Sequence, residues 1–259
     1  MKRVLIIGAN SYIGNKIYRY TIENKSNNIE ALLVSASNDS WKNVDFTGYD
    51  AVLHLSAIVH KREKKSMKEL YFKVNHRLAV DIARRAKDSG VRQFLFMSTA
   101  AVYGKRIGCI TKDTLPDPNT FYGMSKLSAE KDIIKLQEAN FNVTIVRAPM
   151  VYGEGCNGNY AKLEKISKYI FVLPKLHNKR SVISINTLII NLLNLIDENR
   201  NGIYFLQDQE YFDTCNFVIN IRNEMGKKTY LISSFPFNLL INRINWIGKI
   251  FGDFYYTDK

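Results

Sequence analysis

The feature that most constrains the fold is an alternation of short apolar runs with longer helical patterns through residues 1–150. The apolar runs, each predicted to be a strand, are Arg3–Ile7, Ala31–Ser35, Ala51–Leu55, Gln93–Met97 and Val143–Arg147. The helical stretches between them are Tyr12–Glu23, Glu69–Ser89 and Tyr122–Ala139. Continuous apolar strands that alternate with helices predict a parallel sheet covered on both faces. Right-handed crossovers make such a sheet doubly wound and place ligands outside the carboxyl ends of its strands.

The alternation loosens after residue 148, where glycines and prolines surround a short helical pattern. A further strand, Ser181–Ile185, and a helix, Thr187–Asp197, resume the earlier pattern. We therefore expect an α/β fold with two parts. Residues 1–148, joined by 181–206, form the sheet domain, and residues 149–180 and 207–259 form a small C-terminal lobe that binds substrate.

Composition and charge exclude several classes of protein. The net charge is +13, but the basic residues are scattered rather than arranged as a stripe with aromatics, so no nucleic acid is expected. The densest basic cluster, Lys61, Arg62, Lys64 and Lys65, is interpreted as solvated surface, although it could also attract a phosphate substrate. The amphipathic segment Pro236–Tyr256 is expected to pack against the lobe rather than to contact a membrane. The three cysteines lack metal-ligand spacing, which favours reduced thiols, no metal site and a cytoplasmic location.

A glycine-punctuated turn follows the first predicted strand in the segment VLIIGANSYIG. Gly8 ends the strand where a side chain would block the turn, and Gly14 lets the following helix pack closely on the sheet. Backbone N–H groups and the positive end of that helix would then face a pyrophosphate. The residues predicted to hold a dinucleotide here are Gly8, Ser11, Tyr12, Ile13 and Gly14.

A second motif, FYGMSKLSAE, holds Tyr122 and Lys126 one helical turn apart. It comes shortly after a predicted strand in which Thr99 is the last polar residue before the turn, with Ser98 preceding it. A neighbouring ammonium group stabilises a phenolate, so we expect Lys126 to lower the pKa of Tyr122. The order of the nucleotide turn, the strand-end hydroxyl and the Tyr-x-x-x-Lys helix predicts hydride transfer between a nicotinamide cofactor and a hydroxyl or carbonyl carbon.

These motifs resemble those of the extended short-chain dehydrogenase/reductase family, in its nucleotide-sugar epimerase/dehydratase branch, and the resemblance implies a Rossmann fold. Gly8 and Gly14 match the outer positions of the family's Gly-x-x-Gly-x-x-Gly, whereas Ser11 replaces its middle glycine. The resemblance implies that Thr99, Tyr122 and Lys126 are catalytic, with Thr99 also binding the reacting oxygen of the substrate. It further implies that Ser98, Tyr122 and Lys126 contact the cofactor, Lys126 at the nicotinamide ribose, and that Ser98 supports the site. Asp45 and Phe46 resemble the pair that borders the adenine. His54-Leu55-Ser56-Ala57 resembles a run that lines the cofactor, which gives Leu55, Ser56 and Ala57 as cofactor residues. For His54 itself, a buried core role and proximity to the cofactor are equally favoured, and Asn75 resembles a structural helix asparagine.

The same resemblance implies how substrate is held. Asn159 matches the position of a nucleotide-ribose contact, and Arg180 matches an arginine that clamps the diphosphate of a UDP-sugar. Met150 replaces the family's substrate-contacting asparagine. Family members often pair through the helix that bears Tyr122 and the one before it, so the resemblance implies a homodimer.

Three reactions share this scaffold. A dehydratase carries Asp-Glu directly after the threonine, and Ala100 and Ala101 stand there in this chain, which argues against dehydration. We favour a 4-ketoreductase acting on a UDP-linked hexose in surface-polysaccharide synthesis, with a UDP-hexose 4-epimerase as the alternative. The cofactor is NAD or NADP, and NADP is narrowly preferred because the end of the second strand offers Ser35, Ala36 and Ser37 without an immediate acid, and Lys42 nearby. A non-catalytic dinucleotide-binding sensor or scaffold is the alternative from another class.

Overall fold

A computed structural model of the chain describes residues 1–24, 28–59, 63–104, 108–241 and 243–257, and for Asn38, Pro236, Asn245 and Trp246 it describes the backbone alone. Two members of the basic cluster, Lys61 and Arg62, lie outside the described residues. The strands of the described part are β1 (Lys2–Ile7), β2 (Ile29–Val34), β3 (Ala51–His54), β4 (Gln93–Thr99), β5 (Gly108–Ile110), β6 (Asn142–Ala148), β7 (Met150–Tyr152), β8 (Val172–Pro174), β9 (Val182–Ser184), β10 (Gly202–Tyr204), β11 (Tyr230–Ile232) and β12 (Phe254–Tyr256). Its helices are α1 (Tyr12–Glu23), α2 (Lys68–Tyr71), α3 (Leu78–Asp88), α4 (Phe121–Ile134), α5 (Asn159–Ser167), α6 (Ile185–Asp197), α7 (Thr214–Glu224), α8 (Phe235–Ile241) and α9 (Asn245–Phe251).

The main sheet has six strands in the order β10-β6-β4-β3-β1-β2, and every neighbouring pair is parallel. This confirms the prediction of a doubly wound parallel α/β fold. The central strands are apolar on both faces because helices cover both; all four residues of β3 are buried. One core cluster joins strand residues such as Val52 and Phe96 to Ala83 of α3 and Ile133 of α4.

The predicted helix Glu69–Ser89 is interrupted in the structure. Between α2 and α3 lies a wider π-helical segment, Phe72–Arg77, which contains the fully buried Asn75. The Asn75 amide accepts a hydrogen bond from the Ile58 N–H at 2.7 Å and donates to the Ser125 hydroxyl at 3.2 Å. The structural role expected for Asn75 is therefore to join the loop after β3 to helix α4.

Helix α4 ends at Ile134, five residues before the predicted end at Ala139. Beyond it, Glu138 and Phe141 exchange backbone hydrogen bonds of 3.1 and 3.2 Å, which form a tight turn. The Phe141 side chain is buried in the core cluster. Burial of this ring draws the chain out of the helix and into β6, and helical propensity in the sequence does not register such a tertiary contact.

Contacts divide the chain into two compact units. Unit 1 comprises residues 1–104, 116–148 and 185–206, and unit 2 comprises residues 105–115, 149–184 and 207–259. These bounds differ from the predicted ones in two segments, 105–115 and 181–184, which both fall in unit 2. The reason is strand pairing: β5 pairs with β12, and β9 pairs with β7 rather than with the main sheet.

Unit 2 contains three two-stranded parallel ladders, β7-β9, β5-β12 and β8-β11, among its described residues. Its apolar centre is formed by Leu173, Cys215 and Val218, with Phe251 of α9 packed against them. Helix α7 begins at Asp213, whose carboxylate accepts the Asn216 N–H at 2.9 Å. In the described part of the chain, we find no helix with the length and apolar character needed to cross a membrane.

Candidate active site

A cleft of about 1040 Å³ opens at the carboxyl ends of β1, β2 and β3 in unit 1. The chain leaves β1 to form β2 on one side and later returns to form β3 on the other, so the strand order reverses at β1. Such a reversal leaves a crevice above the sheet, where open α/β sheets bind their ligands. Four of the predicted cofactor residues line this cleft, namely Gly8, Ser11, Ser56 and Ala57.

The turn between β1 and α1 has the tight geometry that a dinucleotide pyrophosphate requires. A Cβ atom on Gly14 would lie 2.6 Å from the Gly8 carbonyl oxygen, so only glycine fits there. Gly8 itself has a φ of +154°, a backbone conformation that favours glycine. Since the positive end of α1 meets this turn at the cleft wall, the residues present fit a dinucleotide phosphate group.

Ser11, which replaces the middle glycine of the family motif, is the N-cap residue of α1. Its hydroxyl accepts the Gly14 N–H at 2.9 Å and thereby satisfies one of the helix's first donors. The Ser11 side chain is thus committed to the helix start even though the residue lines the cleft. This cap explains how the turn keeps its shape without the middle glycine.

The other predicted cofactor residues lie outside the lining of this cleft. Phe46 is fully buried in the core, where the Arg85 guanidinium lies 4.9 Å from its ring centroid. Asp45 accepts the Thr47 N–H at 2.9 Å, and this bond keeps the pKa of its carboxyl below the usual value. The remaining residues outside the lining are Tyr12, Ile13, Gly14, Leu55, Ser98, Tyr122 and Lys126. Their contacts with a cofactor stay predictions.

The helical segment after β3 also lines the cleft, with charged residues that no sequence motif identifies. Lys73, Arg77 and Asp81 follow one another at intervals of four residues along the helical segment after β3. Asp39 and Lys42, which follow β2, complete the charged lining, and their side chains are 2.9 Å apart. The spacing of four was visible in the sequence, but only the fold shows that this helical face borders the cleft.

The predicted catalytic hydroxyls meet in the structure. Thr99 ends β4, and its side chain accepts the Ala101 N–H at 3.2 Å. The Thr99 side chain also interacts with the Tyr122 hydroxyl, and this interaction favours the phenolate form of Tyr122. Burial outweighs the interaction, and together with the nearby Tyr71 it raises the pKa of Tyr122 to about 12. Tyr122 is therefore a protonated donor at neutral pH.

The expectation that Lys126 lowers the pKa of Tyr122 is wrong for this structure. The Lys126 ammonium nitrogen instead donates to the Met97 carbonyl oxygen at 2.7 Å and lies 4.1 Å from the Phe96 ring centroid. Residues four apart share a helix face, but the long lysine side chain extends to the strand beneath rather than to the phenol. Burial lowers the pKa of Lys126 to about 7.

His54 lies at the end of β3 and is fully buried. Its ring stacks on Phe94 and Phe96, with centroid distances of 6.1 and 5.8 Å. Burial, aided by the charge of Lys126, lowers its pKa to about 3, so the imidazole is neutral. Both ring nitrogens of His54 are buried with no hydrogen-bond partner in the described part of the chain, so the ring lies in the core but is not satisfied there. Its proximity to the cofactor stays a prediction.

A buried ionic network lies on the face of α4 that bears Tyr122 and Lys126. Glu130, one turn after Lys126, receives Nη2 of Arg147 at 2.7 Å and also accepts a hydrogen bond from the Ser98 hydroxyl. Arg147 reaches the Tyr103 hydroxyl at 2.7 Å through Nη1. Since Ser98 is engaged with Glu130, its predicted supporting role takes the form of linking β4 to α4.

The N-terminus of α4 has an acidic partner that the sequence did not reveal. The Glu63 carboxylate accepts the backbone N–H groups of Phe121 and Tyr122 at 2.9 and 3.0 Å. A carboxylate in this position satisfies two of the helix's first donors and complements its positive end. Glu63 therefore fixes the backbone of Tyr122, although in sequence it is one acid inside a basic cluster.

Replacing Glu63 by glutamine is expected to lower kcat about tenfold, a loss of about 1.4 kcal/mol. The neutral amide accepts the two N–H groups less strongly, so Tyr122 is held less well against Thr99. Steady-state kinetics should show the change in kcat, while dinucleotide affinity, measured by fluorescence titration, should remain near that of the parent. Glu23→Gln, at an exposed position near the end of α1, is the matched control. Equal kcat for both variants would contradict the positioning role.

The lowered pKa of Lys126 predicts a rise of stability with pH. Below pH 7 Lys126 is charged in both the folded protein and the unfolded chain. The cost of burying that charge then lowers the free energy of unfolding in full. Between about pH 7 and 10.5 the folded protein has released the proton while the unfolded chain still binds it, so the free energy of unfolding increases. Urea unfolding at a series of pH values measures this increase. Lys126→Met should flatten the profile over that interval, and an unchanged slope would exclude Lys126 as its source.

The predicted substrate residues belong to unit 2. Asn159 is exposed at the first position of α5. Arg180 donates from Nη1 to the Gly252 carbonyl at 2.9 Å, and its guanidinium lies 5.8 Å from the Phe254 ring centroid. Burial lowers the pKa of Arg180 to about 10, so it remains charged at neutral pH. Their contacts with substrate stay predictions.

Comparison with known proteins agrees with this geometry. The model of the NAD dependent epimerase/dehydratase family matches residues 4–187. A UDP-glucose 4-epimerase of Vibrio cholerae is 27% identical over an alignment 285 positions long, gaps included. The alignment covers 100% of this chain and 85% of that protein.

Two solved structures share the fold. A dTDP-4-dehydrorhamnose reductase of Clostridium acetobutylicum superposes with a TM-score of 0.72 at 22% identity, over 89% of this chain and 83% of its own. A UDP-glucuronic acid 4-epimerase of Bacillus cereus, in complex with NAD, superposes with a TM-score of 0.71 at 18% identity, over 89% and 87%. The family match, which spans more than half of the chain, confirms the resemblance seen in the motifs. The chain therefore belongs to the NAD-dependent epimerase/dehydratase family of enzymes.

Proposed function

We propose that this enzyme reduces the C4 ketone of a UDP-linked hexose, at the expense of a nicotinamide dinucleotide, in the synthesis of a surface polysaccharide. The observation that carries the proposal is the hydroxyl of Tyr122, which interacts with Thr99 at the end of β4 and keeps its proton at neutral pH because burial raises its pKa to about 12. A phenol that keeps its proton at neutral pH can donate it to a carbonyl oxygen as that oxygen becomes a hydroxyl. When bound, the dinucleotide supplies the hydride that C4 receives.

In this proposal the chain's own groups have separate tasks. Thr99 orients the C4 oxygen and Tyr122 protonates it. Lys126 contacts the nicotinamide ribose, and Arg180 and Asn159 hold the diphosphate and ribose of the UDP group. A guanidinium suits the diphosphate because it can donate two parallel hydrogen bonds to phosphate oxygens.

The second candidate is a UDP-hexose 4-epimerase, and the Vibrio cholerae relative, a UDP-glucose 4-epimerase, favours it. An epimerase oxidises C4 and then reduces it on the other face, so it must retain its cofactor through the cycle. A reductase exchanges its cofactor after each turnover. Cofactor retention therefore separates the two reactions.

The deciding experiment denatures the purified protein and assays the released material for NAD(H) and NADP(H). For the reductase we expect protein that is largely free of dinucleotide, binds added NADPH and consumes it with a UDP-4-ketohexose. Stoichiometric retained NAD(H), with interconversion of UDP-glucose and UDP-galactose, would establish the epimerase instead. Protein that binds neither cofactor would refute both reactions and favour a non-catalytic role.

For the cofactor, we propose NADP over NAD. The support is the charged lining of the cleft, in which three cations, Lys42, Lys73 and Arg77, outnumber two acids, Asp39 and Asp81. Of these three cations, Lys42 lies closest in sequence to the end of β2, where the ribose 2′ position is normally recognised.

Lys42→Ala is expected to weaken NADPH binding roughly 5- to 10-fold, because a charge-assisted contact with the 2′-phosphate is lost. Binding of NADH, which lacks that phosphate, should change by less than about 2-fold. Fluorescence titrations with both dinucleotides measure the two affinities. An equal effect on both would show that Lys42 does not read the 2′-phosphate.

We also propose that two copies pair through α3 and α4, the arrangement that the family resemblance implies. Sedimentation velocity on the purified protein tests this. A monomer at assay concentrations would refute it.

A further inference from the structure

Unit 2 carries a concentration of exposed apolar side chains that its own fold does not cover. One group lies at the end of α5 and in the chain that leads into β8, namely Ile166, Tyr169, Phe171 and Val172. Tyr169 is 80% exposed and Phe171 59% exposed. Such side chains are common singly on protein surfaces, but a cluster of them marks an interaction site.

The second group is adjacent because β11 pairs with β8. The register places Tyr230 opposite Val172 and Ile232 opposite Pro174. All three side chains of β11 are exposed, with exposed fractions of 61%, 45% and 42% along the strand. Phe235 and Leu239, one turn apart on α8, continue the exposed surface at 71% and 55%.

Lysines surround this surface. Segments 162–175 and 227–241 contain six lysines and one acidic residue, Glu164. All of the lysines are exposed: Lys162, Lys165, Lys168, Lys175, Lys227 and Lys228. On α5, Lys162 lies one turn before Ile166 on the same helical face, and Tyr169 follows the end of the helix. We name the two apolar groups together with these lysines the apolar–basic face.

We propose that the apolar–basic face docks unit 2 on an anionic lipid surface. Exposed aromatic and aliphatic side chains insert at the headgroup level, and flanking lysines are attracted to acidic headgroups. The beta ladder beneath is anchored in the unit by Leu173, which is 1% exposed in the apolar centre, so the face is presented by a packed scaffold. This contact is peripheral, and it revises the expectation that the chain avoids membranes.

Charge decides between a membrane and a second copy as the occupant. In a symmetric dimer built on this face, the same lysine-rich patch would meet itself, and like charges in close contact are unfavourable. An anionic membrane instead complements all six lysines. The proposal concerns docking alone and does not depend on which reaction the enzyme catalyses.

Co-sedimentation with vesicles tests it on the whole protein. Vesicles of phosphatidylcholine with phosphatidylglycerol are expected to bind the protein, whereas vesicles of phosphatidylcholine alone should bind it at least about tenfold more weakly. Binding should weaken as salt is added, since the lysine contribution is screened. Equal binding to both kinds of vesicle, or none to either, would overturn the proposal.

Two pairs of substitutions locate the contact. Lys165→Glu with Lys168→Glu should reduce binding to the anionic vesicles at least about tenfold, because each lysine contributes roughly a fivefold factor. Tyr169→Ser with Phe171→Ser should reduce binding in both low and high salt. The control combines Arg19→Glu with Ile22→Ser, which are exposed positions on α1 of unit 1 and should leave binding unchanged. A control as strongly affected as the test variants would refute this location.

Sedimentation velocity completes the test. If both test variants abolish a dimer of the parent protein and the parent shows no vesicle binding, the face is an interface between copies and the proposal fails. Circular dichroism and thermal melts of each variant should match the parent, since all substituted side chains are exposed.

Discussion

Tyr122→Phe is expected to reduce kcat by about 10³-fold, equivalent to about 4 kcal/mol of transition-state stabilisation. The substitution removes the hydroxyl that interacts with Thr99 and leaves the aromatic ring of Tyr122 in place. Because the pKa of this hydroxyl is about 12, it is the proton donor through the neutral range, and phenylalanine has none to give. Steady-state rates with a UDP-4-ketohexose or a UDP-hexose would measure the loss.

The same variant should bind NAD(H) or NADP(H) with an affinity within about 2-fold of the parent, because Tyr122 does not line the dinucleotide cleft. Tyr49→Phe, which removes a phenolic hydroxyl at the amino end of β3, should keep full activity. If Tyr122→Phe retained the parent rate, Tyr122 could not be the proton donor. If it lost dinucleotide binding as well, its role would be structural.

Glu130→Gln is expected to lower the free energy of unfolding by about 3–5 kcal/mol. Glu130 is 1% exposed, and its carboxylate balances the buried guanidinium of Arg147 and lies near the buried ammonium of Lys126. Neutralising it leaves those two cations without a compensating charge in a medium where they are poorly solvated. The midpoint of urea unfolding, with an unchanged slope, would measure the loss.

Two comparisons make the Glu130 result specific. Glu138→Gln removes an exposed carboxylate that pairs with Lys87, and it should cost less than about 1 kcal/mol. The double variant Glu130→Leu with Arg147→Met removes both charges of the buried pair and should recover part of the lost stability. A loss at Glu130 no larger than that at Glu138 would show that the buried network is not a main source of stability.

The positions of the Thr99 and Tyr122 hydroxyls in the fold were predictable because their environment is local. Thr99 ends a continuous apolar strand, and Tyr122 begins a helix whose N-cap, Thr120, accepts the Gly123 N–H at 3.1 Å. Short stretches of sequence determine where strands end and helices begin. The carboxyl ends of parallel strands share one edge of the sheet, so motifs placed there come together.

The partners of those hydroxyls were less accessible to sequence reasoning. Lys126 shares the helix face of Tyr122, as its spacing predicts, yet its ammonium group bonds the Met97 carbonyl in the strand beneath. Glu63 reaches the start of α4 from 58 positions away in the chain. Neither contact follows from periodicity, because each depends on how far apart helix, loop and strand stand after packing.

The sequence by itself determined the parallel α/β sheet, the tight glycine turn at its first strand and the order of the catalytic motifs, because these depend on hydrophobic period and local backbone geometry. The tertiary structure alone decided the assignment of 181–184 to unit 2, the early end of α4 at Ile134 and the charge states of Tyr122 and Lys126. These outcomes depend on burial and on long-range pairing. Burial favours the neutral forms of the Tyr122 phenol and the Lys126 amine. The extent of that burial follows from tertiary packing, and no local sequence pattern indicates it.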